Sequence, residues 1–159
     1  MGHDDRQAQP PEGRVVVGVD GSPDSERALE WAAATAALRG AVLEIVHAEF
    51  ARKELLANYK GLERAETAVL EQAATRARQE HPDLRIVTSL YEPPAAAALV
   101  RASSAADLLV VGSRGLGELR GLTMGSVSAE CAHRAHCPVA VVRTAGSRPA
   151  RRAGRHETT

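Results

Sequence analysis

The run Arg14–Val19 (RVVVGV) constrains this chain most. It is almost entirely β-branched and lacks the in–out alternation of a half-exposed strand, so it predicts a strand covered by helices on both faces. Asp20-Gly21-Ser22-Pro23 then reads as turn and cap, with Ser22 as N-cap and Pro23 at the first helical position. The helix runs to about Arg39, places Ala28, Leu29, Ala32 and Ala36 on one face, and is closed by Gly40. This strand–helix unit recurs. Further strands are expected at Ala41–His47, Leu84–Leu90, Asp107–Val111 and Val139–Arg143. The helices between them span 52–80, 94–103 and 126–135. The first has a break at Gly61 and an inner face of Leu62, Ala65, Val69, Ala73 and Ala77. Strict alternation with right-handed crossovers predicts an α/β fold: a doubly wound, five-stranded, mainly parallel sheet with helices on both faces; the order expected for it is 3-2-1-4-5.

A length of 159 residues suits one such domain. It is expected over residues 14–144, between a leader at 1–13 and a disordered basic tail at 145–159, neither of which has anything to bury. Aromatics are only 3%, so the core must be built from Val, Leu, Ile and Ala, and stacking platforms for single-stranded nucleic acid are not expected. Twenty basic and twenty acidic residues cancel. The excess positive charge falls in the segment 143–159 (Arg143, Arg148, Arg151, Arg152, Arg155), which leaves the folded body without a basic face and makes nucleic acid an unexpected partner. The longest purely apolar run, Ala95–Val100, is far below the ~18 residues of a membrane span. A polar, acidic N-terminus and two cysteines read as a cytoplasmic protein with reduced thiols.

In an open doubly wound sheet, ligands bind beyond the carboxyl ends of the strands where the strand order reverses. Asp20-Gly21-Ser22 follows the first strand, and the loop 112–125 follows the fourth with five glycines. Glycine lets backbone N–H groups approach a phosphate with no Cβ in the way. The loop ends at a helix beginning Ser126, Val127 and Ser128, which offers N–H donors, a positive dipole end and two hydroxyls, while Arg114 and Arg120 add charge. A phosphate cradle is the natural reading. It is neither a Gly-x4-Gly-Lys-Ser/Thr loop nor, at Gly115-x-Gly117-x3-Gly121, a dinucleotide fingerprint. Cys131-Ala-His133-Arg-Ala-His136-Cys137 carries zinc-ligand side chains. Cys131 and His133 nevertheless point apart on a helix and Pro138 forces extended chain, so a buried Cys131 and partly exposed histidines are expected instead.

Gly112-x2-Gly115-x9-Gly125-Ser126 resembles the signature of the ATP-binding branch of the universal stress protein family. So do Val17–Ser22 (VGVDGS), Ala106–Gly112 (ADLLVVG) and Cys137–Val142 (CPVAVV), and the resemblance extends over about residues 14–143. It implies that Asp20 approaches the ribose hydroxyls, that Gly18 and Val19 wall the adenine side, and that the Ala48 backbone faces the adenine edge. It further implies that Gly112, Arg114 and Gly115 border ribose and the first phosphates, and that Gly125, Ser126, Val127 and Ser128 take the phosphates. Mg²⁺ or Mn²⁺ would then be carried by the phosphates, and Val139–Val142 would pair two chains as a homodimer. At Tyr91-Glu92-Pro93-Pro94 the chain departs from the family, which usually has a glycine-containing turn there.

Three functions remain open on the sequence: a regulatory ATP-binding module, an ATP-using enzyme, and a dimeric interaction module with an empty crevice. For the enzyme, Asp20–Ser25 (DGSPDS) matches the Ser-Gly-Gly-x-Asp-Ser loop of ATP pyrophosphatases only at Gly21, Asp24 and Ser25. No general base or second substrate pocket is evident, so turnover beyond slow hydrolysis or transfer to Ser126 or Ser128 is not expected.

Overall fold

The computed structural model describes residues 13–48, 59–115 and 124–144. The β-branched run becomes β1 (Arg14–Gly18), and Ser22 caps α1 (Pro23–Arg39) by accepting the Ser25 N–H at 3.3 Å. Gly40 ends α1 at φ 62°, a left-handed conformation open to glycine at little cost. Five further elements follow in alternation: β2 (Val42–Ala48), α2 (Tyr59–Glu80), β3 (Ile86–Tyr91), α3 (Ala95–Ser103) and β4 (Leu108–Gly112). α4 (Ser126–Arg134) and β5 (Val139–Val142) complete the order.

All four strand pairings are parallel, and the sheet order is β3-β2-β1-β4-β5. The expected architecture is therefore correct. Residues within each central strand alternate between two apolar layers. Val15 and Val17 of β1, Leu43 and Ile45 of β2, and Leu108 and Val110 of β4 face α1 and α2. Val16, Val46, Leu109 and Val111 face Leu99 and Ala102 of α3 and Cys131 of α4. Burial on both faces is what a continuous apolar run, rather than an alternating one, encodes.

Local details differ from the expectation. α2 passes through Gly61 without a break, because one glycine costs a helix only about 1 kcal/mol. Its buried face is Glu66, Leu70, Ala73, Ala74 and Ala77, and Ala65 is exposed. β3 begins two residues later than expected because the Leu84 N–H closes a turn on His81 O at 3.1 Å. Pro94 is the cap of α3 rather than its first residue. The proposed helix start at 52–58, and the leader and tail except for Gly13, lie outside the described residues.

Candidate functional site

β1 and β4 are neighbours, so the strand order reverses between them and the loops that follow them meet. After Gly18 the chain pairs once more, Val19 N–H to Val46 O at 2.8 Å, and then turns. Asp20 Oδ1 accepts the Ser22 N–H at 2.9 Å, which fixes the turn, and the Ser22 hydroxyl reaches Arg114 O at 3.4 Å. Across the gap, Gly115 lies so close to Asp20 that a Cβ built on it would stand 2.6 Å from Oδ2. Gly112 is crowded by backbone rather than by a side chain. A Cβ there would lie 2.7 Å from the carbonyl carbon of Asp24 and 2.9 Å from Ser25 N, so glycine at this position admits the first turn of α1 against β4.

Between these loops lies a cleft of about 370 Å³, within the range of small-molecule sites, roughly 300–1,000 Å³. Nine of the eleven residues singled out from sequence line it: Gly18, Val19, Asp20, Ala48, Gly112, Arg114, Gly115, Val127 and Ser128. Gly125 and Ser126 do not. Gly125 is the buried cap residue of α4 and spends its N–H on Ser113 O at 2.6 Å, while Ser126 is exposed. The Ser128 hydroxyl donates to Gly112 O, so its proton is not offered to the cleft. The first-turn N–H groups of an α-helix have no intrahelical acceptor, and Val127 and Ser128 bring that turn to the cleft wall. Gly117, Arg120 and Gly121 lie outside the described residues.

Sequence reasoning missed four features. His47 lines the cleft and holds Val19 O through Nδ1 at 2.7 Å. Since a carbonyl only accepts, Nδ1 carries the proton. Pro93 and Pro94 close one side where the departure from the usual turn was noted, and Leu99 of α3 forms the floor under Gly18. Sites gather at strand carboxyl ends, and the loop after β3 lies at one of them. The fourth is Asp24, which is buried behind the β4 loop.

The Cys–His segment divides between core and surface. Among the described residues no three His, Cys, Asp or Glu side chains gather as a metal site. His133 and His136 are exposed, and Cys131 is fully buried beneath α4. Burial, with a smaller push from Glu130, raises the Cys131 thiol from 9.0 to about 11, and burial also raises Cys137. We expect native Cys131 to resist alkylation at pH 8 under conditions that fully modify the unfolded chain, as read by mass spectrometry. Folding favours the neutral thiol. Its stabilisation is therefore complete below the unfolded value of 9.0 and is lost as pH rises through about 11.

A doubly wound parallel sheet with a cleft over its switch point has the architecture of the open α/β domains, whose ligands bind at that crevice. Comparison makes the class particular: residues 13–143 match the Universal stress protein family, and the chain belongs to it. Universal stress protein Rv2624c of Mycobacterium tuberculosis is 34% identical over 138 residues, which cover 86% of this chain and 50% of that protein. This chain thus spans about half the length of the curated relatives it matches. A universal stress protein solved in complex with cAMP is 35% identical, with a TM-score of 0.64 over 82% of this chain and 95% of that one. The universal stress protein from Archaeoglobus fulgidus in complex with dAMP has the same fold, with a TM-score of 0.64 at 24% identity over 84% of this chain and 99% of that one. Among the described residues no helix is long and apolar enough to cross a membrane.

Proposed function

We propose that this domain binds ATP in the cleft between the β1 and β4 loops and acts as a regulatory module through its bound state. The observation that carries the reading is the polarity of the cleft. The cleft is lined on the β2 side of β1 by Val46 and Ala48 with Leu99 against Gly18, Asp20 follows β1 at the switch point, and Arg114 and the start of α4 come from the β4 side. An adenine fits the β2 side by shape, ribose hydroxyls suit an acceptor-only carboxylate, and phosphates suit a cation and a helix N-terminus. The relatives solved with cAMP and dAMP support an adenine nucleotide. Mg²⁺ or Mn²⁺ would ride on the phosphates, since the described residues offer no cage of their own.

Binding without rapid turnover is the reading that the side chains favour. Ser25 and Ser128, the hydroxyl side chains lining the cleft among the described residues, donate to Ser22 O at 3.0 Å and to Gly112 O. Neither proton faces a general base. β5 ends the sheet with four half-buried residues, Val139–Val142, and is the edge on which a second copy would pair. Calorimetry of the nucleotide-stripped chain with ATP and Mg²⁺ is expected to give one site of micromolar affinity, with no phosphate released on the timescale of the titration. A folded chain that takes up no ATP would sink the reading and leave the interaction module.

A further inference from the structure

Three segments at the carboxyl end of the sheet converge on one buried carboxylate. Asp24 stands in the first turn of α1 with 8% of its surface exposed. Its Oδ2 accepts the Ser113 hydroxyl at 2.6 Å and the Arg114 N–H at 3.2 Å, both from the loop after β4. Its Oδ1 accepts the Thr144 N–H at 3.2 Å and the Thr144 hydroxyl, two residues past β5. Ser113, itself buried, also donates its N–H to Val142 O at 2.7 Å. An ionised carboxylate has about four acceptor positions, and here four donors meet it.

We propose that Asp24 is a positioning residue for the phosphate end of the site: it fixes the backbone of Arg114, and so the path into Gly115, relative to the start of α1 and the end of β5. The inference rests on the nucleotide reading above. Asp24 touches no part of the cleft itself, since Arg114 and Gly115 line it and Asp24 does not. Its charge would oppose a phosphate nearby. Any contribution it makes to phosphate binding therefore comes through geometry, and this separates the proposal from an electrostatic role of opposite sign.

Asp24→Asn tests it because two of the four donors are backbone N–H groups. Hydroxyls can rotate to find another acceptor, but the N–H groups of Arg114 and Thr144 cannot. An asparagine offers one oxygen, so one of the two N–H groups must face its NH₂. The full chain and its Asp24→Asn and Ser113→Ala variants are titrated calorimetrically with adenosine, AMP and ATP, with folding checked by circular dichroism. We expect Asp24→Asn to weaken ATP by about ten-fold, the size of one lost hydrogen bond to a charged group. The loss should shrink through AMP to adenosine. Ser113→Ala, which spares the Arg114 bond, should show the same ordering at smaller size, and it carries the test if Asp24→Asn does not fold. Unchanged or tighter ATP binding overturns the proposal, and so does an equal loss along the series. A wild-type chain that binds none of the three overturns the nucleotide reading and this inference with it, whereas a binding wild type with an indifferent variant overturns this inference alone.

Discussion

Replacing Gly112 with alanine is expected to destabilise the domain by about 3 kcal/mol, the upper end of ordinary overpacking. The added methyl would stand 2.7 Å from the Asp24 carbonyl carbon, 2.9 Å from its oxygen and 2.9 Å from Ser25 N. All three are backbone atoms in the first turn of α1, so no side-chain rotation relieves the contact. Relief requires β4 and α1 to separate, and several interactions resist this. The Ser22 cap bonds Ser25 N at 3.3 Å, the Asp24 carboxylate holds Ser113 and Arg114, and Ala28 and Leu29 are packed into the layer that Val110 of β4 shares. A urea titration followed by circular dichroism should show the midpoint falling with little change in slope, and the thermal midpoint dropping by roughly 10 °C. A change below about 0.5 kcal/mol, the ordinary surface range, would mean that α1 does not sit against β4 as described.

This result bears on how the glycine loop reads in sequence. The motif Gly112-x2-Gly115-x9-Gly125 carries a spacing, and two of its glycines, Gly112 and Gly115, line the cleft. What it could not convey is why each glycine is there. The atoms that exclude a Cβ at Gly112 belong to Asp24 and Ser25, far away in sequence, and Gly125 answers to a carbonyl at Ser113. Asp24 was illegible for the same reason. Its partners at 113, 114 and 144 converge only once β1, β4 and β5 lie side by side. The parallel, helix-covered sheet, by contrast, was legible because it follows from alternation and handedness and needs no knowledge of long-range contacts. The miss on α2 has a different origin. Counting only apolar residues selected Ala65, while the buried face runs through the neighbouring Glu66, a polar position that such a count passes over.

Gly115→Ala should do the opposite of Gly112→Ala, leaving stability nearly intact and removing about a hundred-fold of ATP affinity. Here the added methyl would meet Asp20 Oδ2 at 2.6 Å, with the next nearest contact its carboxyl carbon at 3.7 Å. These atoms end a short, half-buried side chain, so the strain is relieved by turning the carboxylate aside. The bond from Ser22 N–H to Oδ1 at 2.9 Å weakens in the process, a loss of about 1 kcal/mol that the fold tolerates. Binding does not tolerate it on the proposed reading. A displaced Asp20 forfeits two hydrogen bonds from ribose hydroxyls to a charged acceptor, about 1.5 kcal/mol each, and together these correspond to the hundred-fold loss. The same displacement should barely affect a ligand that lacks those hydroxyls. Titrating wild type and Gly115→Ala with ATP and with its 2′,3′-dideoxy analogue therefore isolates the carboxylate: the variant and the wild type should bind the analogue alike and ATP very differently. Equal losses for both ligands would place the Gly115 effect in the phosphate path instead of the ribose contact, and an unaffected variant would remove Asp20 from the site.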